Sequence, residues 1–444
     1  MSTDTHRARR DRVLDAMLER GGGVAVHANA PERYRNRDAE YPYRFDSHFW
    51  YLTGFAEPGS ALVLIAHNGS RRSVLFCREK NAEREIWDGF RYGPEQALDA
   101  FGFDESLPIE RLDERIPALL IDCPALFYHL GAGPEFDSRV HRWLEQTRAL
   151  ARSGRRAPTA AHDLAAIVDE MRLVKDAGEI GTMRRAARIS AAAHLRAMRA
   201  CRIGMREYEI EAELLHEFRR QGAQSPAYPA VVAAGGNACV LHYPAGDAEL
   251  KDGELCLIDA ACEVDGYAAD ITRTFPVNGR FSAEQRTVYD VVLAAQRAAI
   301  AAVRPGNTFG DAHDAATRVL TQGLVDLGLL TGSVDAAIET GAYRQFYMHK
   351  TGHWLGLDVH DVGDYREAGP PPEGRERVYR RLVPGMVTTV EPGLYIRPAP
   401  GVDERFHHIG VRIEDDVAVT PAGCEVLSGD APKDPEAIEA VMRG

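Results

Sequence analysis

The stretch "LIDAACEVDGYAADITRTF", Leu257 to Phe275, sets the terms for the rest of the chain. Two aspartates sit in runs that otherwise read as buried β-strand: Asp259 follows Leu257-Ile258, and Asp270 precedes Ile271-Thr272. A charge in a strand core is costly unless something pairs with it. Between them, Asp265-Gly266 is a two-residue hairpin signal, because a type I′ turn needs positive φ at both central positions. With that turn, Val264 faces Tyr267, Ala261 faces Asp270 and Asp259 faces Thr272. Both aspartates then share one sheet face as diagonal neighbours, their Cα atoms about 7–8 Å apart. Converging carboxylates repel and raise each other's pKa. A bound cation removes the conflict; the alternative is a pair solvated on an exposed face.

Partners for such a cation are available. "MHKTGHWLGLDVHDVG" (348–363) supplies His349, His353 and His360. Glu391 follows the apolar run "MVTTV", and Glu414 follows Ile413, with Arg412 two residues before it. Each has a plain structural reading. A histidine beside Trp354 can be a packed core residue, a glutamate before Pro392 a turn residue, and "EDD" (414–416) a solvated strand end. Together they are acidic residues at the ends of separate apolar strands, plus a histidine cluster. Four carboxylates and one histidine carry more charge than one divalent ion needs, which points to two ions about 3.5–4 Å apart. The oxygen-rich mix suits Mn²⁺ better than a soft-ligand zinc site, with Co²⁺, Zn²⁺ and Fe²⁺ as alternatives.

The 444 residues are ample for two domains. A net charge of −13 argues against a nucleic-acid or anionic-membrane surface. Seven scattered cysteines without C-x-x-C spacing argue against a disulfide scaffold or thiolate zinc site and for a reducing compartment. The polar N-terminus lacks the apolar core of a signal peptide, and no run reaches the ~20 apolar residues of a membrane span. The expectation is a soluble cytoplasmic protein.

"ALVLIA" and "SVLF", joined by the turn-like "HNGS", predict a hairpin in a mixed α/β region of about 170 residues, with a helix around 139–150. Asp176 with Glu179 forms a capping-box start for a helix running toward Cys201. A second helix runs through "EYEIEAELLHEFRRQG" to Gly222, and a third through "AEQRTVYDVVLAAQRAAIAAV". Short strands follow in "MVTTVEPGLYI" and "VRIEDDVAVT". Tyr365–Arg381, rich in proline and charge, reads as a surface loop that could rim a pocket.

The order Asp259, Asp270, His353, Glu391, Glu414 resembles the five-ligand signature of the pita-bread metallopeptidases, the superfamily of methionine aminopeptidases, prolidases and aminopeptidases P. "HWLGLDVHDVG" and "EPGLYI…GVRIEDD" resemble its proline-peptidase branch. "RDAEYPYRFDSHFWYLTGFAEPGSALVLI", "EIWDGFRYG" and "LHYPAG" resemble bacterial aminopeptidases P. The resemblance covers about residues 30 to 430. It implies an α/β N-terminal domain (1–172) and an α+β pita-bread catalytic domain (173–444) with pseudo-twofold helices and a curved antiparallel sheet.

The implied activity is removal of an N-terminal residue preceding proline, with two divalent metal ions, Mn²⁺ the best fit, and a bridging water as nucleophile. By the same resemblance, Asp259 would hold one metal, Asp270 and Glu414 would bridge both, and His353 and Glu391 would complete the second. Glu391 would also accept the proton. His242 and His360 match substrate-side histidines that steady the scissile carbonyl. His349 and Arg412 match positions near the proline. Tyr395 and Asp38 match a proton-moving pair that an arginine, Arg155 or Arg156, would join. Trp87 matches an aromatic that reaches a neighbouring subunit, which implies a homodimer or homotetramer. The departures are the length of 365–381 and the unassigned His407 and His408. The alternatives are a prolidase acting on X-Pro dipeptides, a metal-free creatinase-like enzyme, and a non-catalytic peptide- or protein-binding homologue.

Overall fold

The computed structural model describes residues 2–131, 133–371, 373 and 376–444. It divides into two compact units, Met1–Met171 and Arg172–Gly444. Part of the proline-rich segment at 365–381, namely 372, 374 and 375, lies outside the described residues.

The first unit is built on one six-stranded sheet: β1 (Gly23–Ala28), β2 (Ala61–His67), β3 (Ser70–Cys77), β4 (Glu105–Pro108), β5 (Ala125–Tyr128) and β6 (Ala160–Asp163), in the order β4-β3-β2-β1-β5-β6. The expected hairpin is β2–β3, in register from Ala61↔Phe76 to His67↔Ser70. Asn68 (φ 51°) and Gly69 (φ 73°) form its turn. β5 runs parallel to β1, and β6 parallel to β5. Alternate strand residues Val24, Val26, Val63, Ile65, Val74 and Phe76 pack against Leu112, Ile116, Val140 and Trp143 of the helices Leu112–Leu119 and Pro134–Arg148. Burying each such side chain contributes about 1.5–3 kcal/mol. The helix expected at 139–150 begins at Pro134 instead. Proline's fixed φ and missing N–H suit a first helical position, and Phe136 in the turn it opens packs on the core beside Trp143.

In the second unit every strand pairing described is antiparallel. β7 (Ser225–Pro226), β10 (Cys262–Val264) and β11 (Tyr267–Ala268) form one short sheet, and β8 (Val231–Ala234), β9 (Leu255–Asp259) and β12 (Thr272–Pro276) another. β13 (Val387–Val390) pairs with β16 (Asp415–Thr420) and β16 with β17 (Gly423–Val426), while β14 (Gly393–Ile396) pairs with β15 (Ile409–Arg412). Two helix pairs accompany these strands: Ala177–Ala200 with Glu207–Arg220, and Ala283–Ala302 with Phe309–Asp326. Asp176 and Glu179 make the reciprocal capping box that starts the first.

The hairpin register is the one the turn dictates. Asp265 (φ 49°) and Gly266 (φ 79°) are both left-handed, Val264 pairs with Tyr267, and Asp259 pairs with Thr272. Fully buried Arg273 ties this hairpin to the other strands, donating to Asp415 Oδ1 (2.7 Å) and to the Glu414 carbonyl (2.5 Å). Fully buried His194 holds the bend after Asp259 by donating from Nε2 to the Ala260 carbonyl (2.9 Å). Gly266→Val forces a β-branched residue into left-handed backbone, so urea unfolding should show a loss of about 1–2 kcal/mol. Gly266→Asn should lose far less, because asparagine tolerates that conformation.

Candidate metal centre

Strand ends deliver the acidic residues to one place. Asp259 closes β9, Asp270 precedes β12, Glu391 lies between β13 and β14, and Glu414 sits at the break between β15 and β16. Asp270 is buried and the Asp259 side chain is only 14% exposed, so the solvated-face alternative fails for the pair; Glu414 is buried as well. Convergence of the two hairpin aspartates is direct: the Tyr228 hydroxyl lies 2.7 Å from Asp259 Oδ1 and 2.6 Å from Asp270 Oδ1. Ligand atoms of Asp270, His353 and Glu414 all lie within 4.8 Å of one another. His353 Nε2 is 3.3 Å from Asp270 Oδ2 and 3.8 Å from Glu391 Oε1.

The surroundings orient these groups. His353 Nδ1 donates to the Trp354 carbonyl (2.9 Å), which leaves Nε2 as the ligand atom of the neutral ring, facing the carboxylates. Arg412 is buried and donates from Nη2 to Asp259 Oδ2 (2.7 Å), from Nη1 to the Tyr395 oxygen (3.1 Å) and from Nε to Thr272 Oγ1 (3.2 Å). Thr272 in turn donates to Glu414 Oε2 (2.6 Å). His349 Nδ1 donates to the Lys350 carbonyl (2.7 Å), so its Nε2 accepts from the Tyr395 hydroxyl (2.8 Å). Burial and the Arg412 charge lower the His349 pKa to about 4, which keeps that imidazole neutral. His360 sits edge-on to His353, ring centres 4.4 Å apart, and is exposed, as is His242.

Electrostatics test whether these residues fit a cation. Burial, then the neighbouring carboxylates, raise the pKa values of Asp270 and Glu414. For Glu391, burial outweighs the opposing charges of His353 and Arg412 and raises it to about 7. Burial alone would depress His353, yet its bond to Asp270 and the nearby carboxylate charges lift it to about 9. The cluster thus takes up protons to offset its own negative charge. Divalent ions would do the same with less conflict, and the oxygen-rich donor set with one oriented imidazole fits them.

The "EDD" run is not a solvated strand end: Glu414, Asp415 and Asp416 are all buried. Asp416 Oδ1 accepts the Asp270 backbone N–H (3.0 Å), and Asp415 pairs with Arg273 and Lys433. Tyr228, Thr272 and Asp416 escape a motif reading. Tyr228 lies in the turn-like "SPAYPA", where no periodicity marks it. Thr272 could have been found, because the hairpin register places it opposite Asp259.

Asp38 and Trp87 belong to the first unit, where both are exposed. There Arg155 pairs with Asp122 (3.2 Å), and the Arg156 backbone N–H also donates to Asp122. His407 folds onto its own loop, 3.1 Å from the Val402 carbonyl. The ends of the proline-rich segment pair with each other at Arg366↔Tyr379, and Tyr365 stacks on Trp354 (5.6 Å). Tyr365, Arg366 and Tyr379 thereby line a cavity of about 260 Å³ that also touches His313, Thr351 and Thr389.

Antiparallel strands that carry four carboxylates and an imidazole to one buried point, with helix pairs packed alongside, define a pita-bread metallopeptidase. The chain belongs to metallopeptidase family M24. The model of that family matches residues 181–421, and the model of the aminopeptidase P N-terminal domain matches residues 6–127. It is 45% identical to the Xaa-Pro aminopeptidase of Escherichia coli strain K12 over 435 residues, 98% of this chain and 96% of that one. The solved structure of Pseudomonas aeruginosa aminopeptidase PepP superposes with a TM-score of 0.95 at 48% identity, over 100% of this chain and 98% of that one. A human Xaa-Pro dipeptidase is 33% identical over 95% of this chain and 89% of its own length.

Without metal, the shifts of Glu391 and His353 set a pH dependence. Both are raised, so the folded state binds more protons than the unfolded state between about pH 4.5 and 7 for Glu391 and about pH 6.5 and 9 for His353. Their stabilising contribution is complete below each window and lost as pH rises through it. Thermal melts of chelator-stripped protein should therefore show Tm falling from pH 6.5 to pH 9, above the range in which buried histidines held low, such as His349, gain stability with rising pH. Added Mn²⁺ should flatten or reverse the trend.

Proposed function

We propose that the protein is a metal-dependent aminopeptidase that hydrolyses the bond between an N-terminal residue and a following proline in peptides. The observation that carries this reading is the convergence of Asp259, Asp270, His353, Glu391 and Glu414, in a chain alike over its whole length to Xaa-Pro aminopeptidases. The assignment makes residues 1–172 an aminopeptidase P/creatinase-type domain and 173–444 the catalytic domain. All five ligand residues of the signature are present, which disfavours the creatinase-like and non-catalytic readings.

In this proposal Asp259 would hold one ion, Asp270 and Glu414 would serve both, and His353 and Glu391 would complete the second, with Mn²⁺ favoured by the oxygen-rich donors. Bound there, the ions would supply Lewis acidity and an acidified water near neutral pH. Glu391 takes the proton from the attacking water. His242 and His360 donate to the scissile carbonyl oxygen as it gains charge. His349 and Arg412 flank the proline, with Arg412 also holding the second oxygen of Asp259. Tyr395, hydrogen-bonded to His349 and Arg412, moves protons, and Asp38 is assigned to the same task by resemblance. An X-Pro bond has no N–H to clamp and a fixed φ, so recognition through the carbonyl suits it.

An oligomer, dimer or tetramer, and a cytoplasmic location complete the proposal. Trp87 (83% exposed), Ile86 (81%) and Phe90 (61%) cluster on and just after the helix Ala82–Asp88, which buries no residue of its own. Such a patch suits a neighbouring subunit. Seven free cysteines, six of them buried, suit a reducing compartment.

The decisive assay compares an X-Pro-Y-Z peptide with an X-Pro dipeptide, using chelator-stripped protein before and after adding Mn²⁺. Release of the first residue from the longer peptide should return with Mn²⁺ and exceed dipeptide cleavage; the reverse preference would make the protein a prolidase. Glu391→Gln should lower kcat by about 10²–10⁴-fold. Light scattering should show Trp87→Asp shifting the protein toward monomer.

A further inference from the structure

The first unit holds a second cluster of ligand-type side chains, remote in sequence from the five residues above. His27 lies near the carboxyl end of β1, and Asp46 and His48 lie at the start of the helix Ser47–Thr53. One ligand atom from each falls within 4.8 Å of the other two. His27 Nε2 is 2.7 Å from Asp46 Oδ1. The His27 and His48 rings are 5.8 Å apart, and His129, one residue past β5, stands 5.8 Å beyond His48. β1 and β5 are parallel neighbours, so the cluster sits at the carboxyl ends of parallel strands, where open α/β sheets gather their ligands.

Three features separate this cluster from ordinary surface residues. His27 and His48 are 6% and 8% exposed, so neither imidazole is freely solvated. The Asp46 side chain stays one-third exposed, which leaves a solvent-facing side for an incoming ion. His48 Nε2 is 2.6 Å from Asp169 Oδ1, on the helix Ala165–Leu173; a carboxylate bonded to a ligand histidine fixes the ring and raises its basicity.

We propose that His27, Asp46 and His48 bind one divalent ion of borderline character, Zn²⁺ or Co²⁺, with Asp169 as the positioning carboxylate. Two imidazoles and one carboxylate match three-ligand zinc sites that leave a coordination position open. The oxygen-rich set of the second unit favours Mn²⁺, so the two sites differ in metal preference. The bound ion would cross-link β1 to the helix that follows Asp46.

The test uses full-length protein saturated with Mn²⁺, dialysed against Zn²⁺ and measured by mass spectrometry of metals. Wild type should retain one more zinc per chain than the His27→Gln/His48→Gln double variant. Retained Mn²⁺-dependent peptide cleavage by the variant would show that it is folded. A second measurement needs no variant: crystals of the wild type soaked in Zn²⁺ should give an anomalous zinc peak in contact with His27, Asp46 and His48. Equal zinc content in wild type and folded variant, or no zinc peak at these three residues, overturns the proposal and leaves two hydrogen-bonded His–Asp pairs.

Discussion

Mutual repulsion among Asp259, Asp270, Glu391 and Glu414 is the constraint around which the second unit is arranged. Four carboxylates gathered where water scarcely reaches cannot all ionise without compensation. In the chain by itself compensation comes from a proton on His353, from the buried guanidinium of Arg412, and from the Tyr228 hydroxyl shared between two aspartates. Burial and those aspartate charges hold the Tyr228 hydroxyl firmly protonated, so it remains a donor. Metal ions would replace the proton, not the scaffold.

The scaffold is correspondingly stiff. Arg273 and Asp415, both fully buried, tie β12 to β16 behind the carboxylates, and Asp415 is held further by Lys433, Gln296 and Ser428. Breaking a buried pair of this kind by removing one partner typically costs about 3–5 kcal/mol. The Arg412–Thr272–Glu414 chain does the same on the ligand side. A catalytic constellation needs this rigidity, because small misplacements cost large factors in rate. In the proposed reaction His242 and His360, both exposed, are the residues that would reach the substrate.

What the sequence made legible follows physical lines. The Asp265-Gly266 turn has few conformations open to it, so it determined the register and therefore the shared face of Asp259 and Asp270. The capping box at Asp176 and the β2–β3 hairpin were readable for the same reason: local chemistry with one good solution. Buried Asp415 and Asp416 were not readable, because their partners Arg273, Lys433 and the Asp270 N–H come from distant parts of the chain. Tyr228 was missed likewise, since its role arises only when two strands converge on its hydroxyl. The cluster of His27, Asp46 and His48 needed the helix Ser47–Thr53 brought back against β1, which no local pattern announces.

The most direct test of the central claim is anomalous diffraction from crystals soaked in Mn²⁺. The carboxylate arrangement predicts two manganese peaks about 3.5–4 Å apart, both in contact with Asp270 and Glu414. A single peak, or peaks held by residues other than Asp259, Asp270, His353, Glu391 and Glu414, would contradict it.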